Sequence, residues 1–210
     1  MRPQVKICGL TRAEDVMTAQ KAGASYLGFI VETASKRRLT VAEAAYLAKP
    51  VQGQILRVAV TVNADDNLLQ FIMRDMAPDY IQCHGDETPE RVADIARRFC
   101  VKLIKACAVA NDEDMKQADQ YNGAADLILY DAKPPTGSNI RGGHGIKMDW
   151  DIIARAPTPK RFMLAGGLTP SNVALAAQQT GAAILDVSSG VELSPGIKDP
   201  AKIKAFFGAL

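Results

Sequence analysis

The fold this sequence predicts is a single (β/α)8 TIM barrel, and three observations predict it. Short apolar runs of strand character alternate with amphipathic segments along the whole 210 residues. The mean unit is roughly 26 residues, enough for a strand, a helix and two short loops. Polar and titratable side chains collect just after the strands, the end at which parallel α/β folds bind ligands. Eight such units make one domain over 1–210, near the short end of this fold. The alternative is an open doubly wound sheet. That fold has fewer strands and carries a glycine fingerprint after its first strand. Here the first strand runs into Cys8-Gly9-Leu10-Thr11, with no G-x-G-x-x-G.

The elements follow in order. Val5–Cys8 is a short buried strand that Gly9 ends, and Thr11 is placed to cap a helix over Arg12–Ala22 with Glu14 and Asp15 in its first turn. Gly23 ends that helix before the strand Tyr26–Ile30, whose exit holds Glu32, Ser35, Lys36 and Arg37. A helix over Val41–Ala48 leads to the strand Leu56–Val62, and Pro78 stops the next helix, Asp65–Met76. The strand Tyr80–Cys83 opens into His84-Gly85-Asp86 ahead of a helix over Pro89–Arg98. Val101–Lys105 and Leu127–Tyr130 are the fifth and sixth strands, separated by a helix over Asp112–Gln120 and the turn Asn122-Gly123. Asp131-Ala132-Lys133 leaves the sixth strand, and a long glycine-rich loop reaches the helix Trp150–Arg155. Phe162–Ala165 exits through Gly166-Gly167 to a helix over Ser171–Gln179 that Gly181 ends. Ile184–Val187 exits through Ser188-Ser189-Gly190, and Pro200–Phe207 is the last helix.

Composition excludes several function classes. The hydrophobic fraction of 48% belongs to a globular chain, and 25 basic against 23 acidic residues leave no basic surface for nucleic acid or an acidic membrane. No segment approaches the roughly 20 apolar residues of a membrane span, and no signal peptide is visible. Four cysteines without C-x-x-C spacing and two histidines give no metal pattern and fit a cytoplasmic protein with free thiols.

Several groups at the strand exits are candidates for chemistry. Cys8 is either a small buried hydrophobe or a reactive thiol at the ligand end of the first strand. Asp131 ends the apolar run Leu127-Ile128-Leu129-Tyr130, so partial desolvation should raise its pKa toward the range of a general acid. The alternative for Asp131 is an ion pair with Lys133 or a loop cap. His84 reads as a core histidine satisfied by a backbone carbonyl. Gly166, Gly167, Ser188, Ser189 and Gly190 follow the seventh and eighth strands. Barrels often bind phosphate there, through backbone N–H groups that glycine lets approach closely. The plainer reading is two ordinary turns. The loop Arg141-Gly142-Gly143-His144-Gly145 either folds over a ligand or is a surface excursion.

Ten segments, in order, resemble one family: VKICGLT at 5–11, GFI at 28–30, S-x-R at 35–37, Q-x-H-G at 82–85, D-A-K at 131–133, G-G-x-G at 142–145, D-W at 149–150, L-A-G-G-L at 164–168, D-V-S-S-G-V-E at 186–192 and G-x-K-D at 196–199. They resemble the phosphoribosylanthranilate isomerases of tryptophan biosynthesis, over almost the full length. The resemblance implies a cofactor-free, metal-free Amadori rearrangement of a phosphorylated small molecule by a monomer or homodimer. It implies Cys8 as general base, Asp131 as general acid, Arg37 on the substrate carboxylate and Asp186 near the anilino nitrogen. It also implies the two late glycine–serine loops on the phosphate and Gly143 and His144 as candidate loop contacts. A modest downward pKa shift would supply Cys8 thiolate at neutral pH. The chain departs from the family at Cys83, usually leucine, at His144, usually a small polar residue, and at Arg38, which offers a second arginine beside Arg37. The competing readings are another phosphosugar barrel enzyme and a non-catalytic phosphosugar-binding barrel. The first leans on metal ligands or lysine and glutamate bases, and the second should have lost Cys8 or Asp131.

Overall fold

Strands joined by helical crossovers run parallel, and a parallel sheet is covered on both faces either as an open sheet flanked by helices or by closing into a barrel. The computed structural model, which describes residues 2–133, 149–159 and 161–210, has that closed form. Its strands are β1 (Gln4–Cys8), β2 (Tyr26–Val31), β3 (Leu56–Thr61), β4 (Tyr80–Cys83), β5 (Lys102–Val109), β6 (Leu127–Ala132), β7 (Met163–Leu164) and β8 (Ile184–Val187). Each pairs in parallel with the next, and β8 pairs with β1 to close the barrel. Around it lie α1 (Ala13–Ala22), α2 (Val41–Ala48), α3 (Asp66–Asp75), α4 (Pro89–Phe99), α5 (Asp112–Asp119), α6 (Trp150–Arg155), α7 (Val173–Thr180) and α8 (Pro200–Gly208). No helix among the described residues is long and apolar enough to cross a membrane.

Local chemistry sets the helix ends. Thr40 and Glu43 form a capping box on α2, and the side chains of Asp65, Thr88, Asn111, Asp149 and Asp199 accept N–H bonds at the starts of α3, α4, α5, α6 and α8. Each such cap stabilises by about 1 kcal/mol. Gly23 and Gly181 take left-handed conformations that end α1 and α7.

Four expectations are corrected. Thr11 does not cap α1: Arg12 holds the cap position without a side-chain bond, and the Thr11 hydroxyl donates to the Gly196 carbonyl instead. β5 runs on to Val109, because Ala106–Val109 still pair with β6 in register from Leu129 to Ala132. Asp131 is therefore the penultimate residue of β6, opposite Ala108, rather than a loop residue. α7 starts at Val173, because Asn172 is held by side-chain bonds to the turn before it. Two features were not foreseen. Arg38–Leu39 forms a short strand on β2, and a hairpin of Glu192–Ser194 and Ile197–Lys198 follows β8.

The period of two along each strand sorts the core into two layers. Inside the barrel, Tyr26, Val58, Tyr80, Ile104, Leu127, Leu129, Met163 and Ile184 pack together, with Cys8 and Ala165 towards the carboxyl end. Tyr26 and Tyr80 meet edge-on, with ring centroids 5.9 Å apart. Outside, Ile7, Leu27, Phe29, Ala59, Ile128, Leu164 and Leu185 pack on helical side chains such as Val16, Leu47, Trp150, Val173 and Phe206. The filled lower half leaves the carboxyl end as the place where polar side chains reach the interior.

Candidate active site

Counting by two from Cys8 puts Lys6 on the same inward face of β1. Lys6 is fully buried, and its Nζ lies 3.0 Å from Asp186 Oδ1 across the β1–β8 seam, where the two residues are in register. Gly28 of β2 stands opposite Cys8. A Cβ there would sit 2.8 Å from Cys8 Sγ and 3.2 Å from Lys6 Cε, so glycine leaves room for the thiol and the ammonium side by side. Burial pushes the Cys8 thiol above its ordinary pKa, and Lys6 offsets only part of that push. The expected downward shift is thus overturned: Cys8 is 6% exposed, and desolvation of the thiolate outweighs the nearby cation. Burial also raises the Asp186 carboxyl, with Lys6 pulling it back. Burial alone would lower Lys6, but the Asp186 carboxylate and Cys8 hold it above the ordinary lysine value.

Asp131 reaches the same mouth from β6. Its Oδ1 accepts the Ala132 N–H at 2.8 Å, and its Oδ2 lies 3.5 Å from His84 Nε2. Lys133 pairs with Asp114 at 2.7 Å instead, so the expected alternative of a Lys133–Asp131 pair is not what forms. His84 is no carbonyl-bound core residue either. Gln82 Nε2 stands 3.0 Å from His84 Nδ1. Its Nε2 faces Asp131, so the ring bridges a side-chain amide and a carboxylate.

Arg37 and Arg38 separate cleanly. Arg38 points to solvent and pairs with Glu32. Arg37 is buried and forks onto Glu192, Nε at 2.8 Å from Oε1 and Nη2 at 2.7 Å from Oε2. Lys198 Nζ binds the same carboxylate at 2.8 Å, and also the carbonyls of Cys8 at 2.6 Å and Ser188 at 3.1 Å. Gly9, at φ +72°, lets Arg37 cross: a Cβ there would meet Arg37 Cδ at 2.5 Å and Ser188 Oγ at 3.0 Å. Burial alone would raise the Glu192 carboxyl, but Arg37 and Lys198 hold it below the ordinary range. This network's stabilisation is therefore present above the ordinary carboxylate pKa and is lost as pH falls through the lowered one. Glu192→Gln leaves two buried cations short of an anion and should destabilise by about 3 kcal/mol at neutral pH. Denaturant unfolding checks this, and the gap to the unaltered protein should close in acid.

The seventh and eighth exits meet. β7 and β8 pair directly, and a Cβ on Gly190 would lie 1.8 Å from the Leu168 carbonyl oxygen, so the two loops touch through backbone. Gly166, at φ +82°, abuts Ala132 N of the β6 exit in the same way. Asn172 accepts from Thr169 N at 2.8 Å and donates to the Gly167 carbonyl at 2.9 Å, which fixes the turn. Gly166, Gly167, Ser188, Ser189 and Gly190 are all half-buried. Thus Cys8, Asp131, Arg37, Asp186 and the two loops gather at one end of the barrel, while Gly143 and His144 lie outside the described residues. Sequence reading passed over Lys6, Gln82, Glu192 and Lys198. All four stand in the family's segments, and Lys6 also gave a signal of its own, a charge in a buried strand two residues from Cys8.

Comparison with known proteins agrees on one family. The family model described as N-(5'phosphoribosyl)anthranilate (PRA) isomerase matches residues 5–209. An N-(5'-phosphoribosyl)anthranilate isomerase of Parvibaculum lavamentivorans is 46% identical, covering 100% of this chain and 98% of its own. The crystal structure of phosphoribosyl anthranilate isomerase from Thermotoga maritima superposes with a TM-score of 0.88 at 33% identity, covering 99% of this chain and 98% of that one. A further phosphoribosyl anthranilate isomerase was solved in complex with reduced 1-(o-carboxyphenylamino)-1-deoxyribulose 5-phosphate. It superposes with a TM-score of 0.83 at 31% identity, covering 99% of this chain and 98% of that one.

Proposed function

The chain belongs to the phosphoribosylanthranilate isomerase family and is an isomerase of tryptophan biosynthesis, and from that premise we propose how its own residues turn N-(5-phosphoribosyl)anthranilate into 1-(2-carboxyphenylamino)-1-deoxyribulose 5-phosphate. Asp131 donates a proton to the furanose ring oxygen, and the ring opens to an iminium ion. The iminium acidifies the neighbouring C2 hydrogen, which the Cys8 thiolate removes as a proton. The resulting enolamine tautomerises to the ketone, so the reaction is redox-neutral overall. His84, whose Nε2 lies 3.5 Å from Asp131 Oδ2, steadies the carboxylate that Asp131 leaves behind.

The observation that carries this reading is the pairing of a buried thiol and a buried carboxyl at one barrel mouth, on strands β1 and β6. Arg37 complements it. Its Nε–Nη2 edge is locked on Glu192, which leaves Nη1 to bind the anthranilate carboxylate. Asp186 takes the anilino nitrogen. Gly166, Gly167, Ser188, Ser189 and Gly190 cradle the phosphate through backbone N–H groups and hydroxyls. Gly143 and His144 are loop contacts of the same reading. We assign the enzyme to the cytoplasm, in keeping with its free cysteines.

The cradle tests the reading. Gly167 sits at φ +68°, and a side chain there both strains the turn and fills the approach to the phosphate. Gly167→Val should raise KM about tenfold or more, through a lost or lengthened charge-assisted bond. Inorganic phosphate should also weaken as a competitive inhibitor. Steady-state kinetics with and without phosphate measure both, and an unchanged KM would remove the phosphate from these loops.

A further inference from the structure

We propose that Lys6 is a positioning residue for the isomerisation: its ammonium, set between the Asp186 carboxylate and the Cys8 thiol, stabilises the thiolate form of the base against burial. This rests on Cys8 being the base. A buried ammonium is costly unless several of its three donors are used. Lys6 is fully buried, and the Asp186 carboxylate takes only one donor, at 3.0 Å. Its Cε and Cys8 Sγ crowd the same point above Gly28, so a second donor is available to the sulfur.

The other cations near Cys8 are more distant partners of the sulfur. Lys198 lies on the Cys8 carbonyl and Arg37 crosses Gly9, and the two share the single Glu192 carboxylate, so Lys198 favours the thiolate less than Lys6 does. β2 contributes only Gly28 at this level. From β8 comes Asp186, which opposes the thiolate. Lys6 is the strongest influence stabilising the thiolate against burial. Asp186 then has two effects of opposite sense. It keeps Lys6 charged, and it repels the thiolate directly.

That opposition gives a test that looser packing cannot mimic. The pH midpoint of Cys8 alkylation by iodoacetamide is followed by peptide mass spectrometry in a background with Cys100→Ser and Cys107→Ser. Cys83, whose thiol burial pushes up to about 12, stays silent. Lys6→Met should raise the midpoint by about one unit or more. That is a tenfold loss of thiolate, and kcat at neutral pH should fall about tenfold and recover as pH rises. Lys6→Arg should hold the midpoint near its original value. Asp186→Asn should lower it, and adding Lys6→Met to Asp186→Asn should raise it again. A midpoint unmoved by Lys6→Met, or one that Lys6→Met and Asp186→Asn shift in the same direction, overturns the inference. Neither result bears on the base itself, which Cys8→Ala tests separately.

Discussion

Cys8→Ala should lower kcat by at least ~100-fold while KM changes little, as expected when a general base is removed. The substitution is mild for the fold. Cys8 packs in the inner cluster beside Tyr26, Val58 and Ala165, and loss of one sulfur there costs far less than a large-to-small change of a leucine. It touches none of the groups assigned to the carboxylate or the phosphate, which is why binding should survive. Steady-state kinetics give the split between kcat and KM, and thermal unfolding verifies the fold. Near-normal turnover would mean that another group removes the C2 proton.

Asp131→Asn should be as damaging, a loss of roughly 10²–10⁴-fold in kcat. Asparagine keeps the shape, and its carbonyl can still accept the Ala132 N–H. What it lacks is an acidic proton for the ring oxygen. The pH–rate profile should also lose a limb, as expected when a general acid is removed. Turnover that stays unchanged across the pH range would strike Asp131 from the mechanism.

The sequence made the barrel legible because its signals are local. Apolar runs and the glycine stops at Gly23 and Gly181 each act within a few residues. β5 was read short because Ala106-Cys107-Ala108 has no strong strand character by itself, and its pairing with β6 decides the matter. The site was legible where a residue type sits at a strand exit, as with Cys8, Asp131 and the glycine–serine loops. It was illegible where a partner comes from far along the chain. Glu192 meets Arg37 across 155 positions, and Lys198 meets the Cys8 carbonyl across 190. His84 was misread for the same reason, since its Asp131 neighbour comes from another strand. The direction of the Cys8 shift depended on burial depth, which no local pattern reports.

β1 is bonded on one edge to β2 and on the other to β8, and Lys198 then clasps the Cys8 carbonyl. Of the eight barrel strands, the one bearing Cys8 is made first, and its second neighbour, β8, is made last. Until then that edge is open and free to associate with other strands. Long-range closure of this kind is slow, because the chain must give up its freedom before the last contacts reward it. A chain that stops before β8 therefore keeps Cys8 and Asp131 but lacks Asp186, the Ser188-Ser189-Gly190 loop and the edge that closes the barrel, so activity should arrive only once β8 is in place.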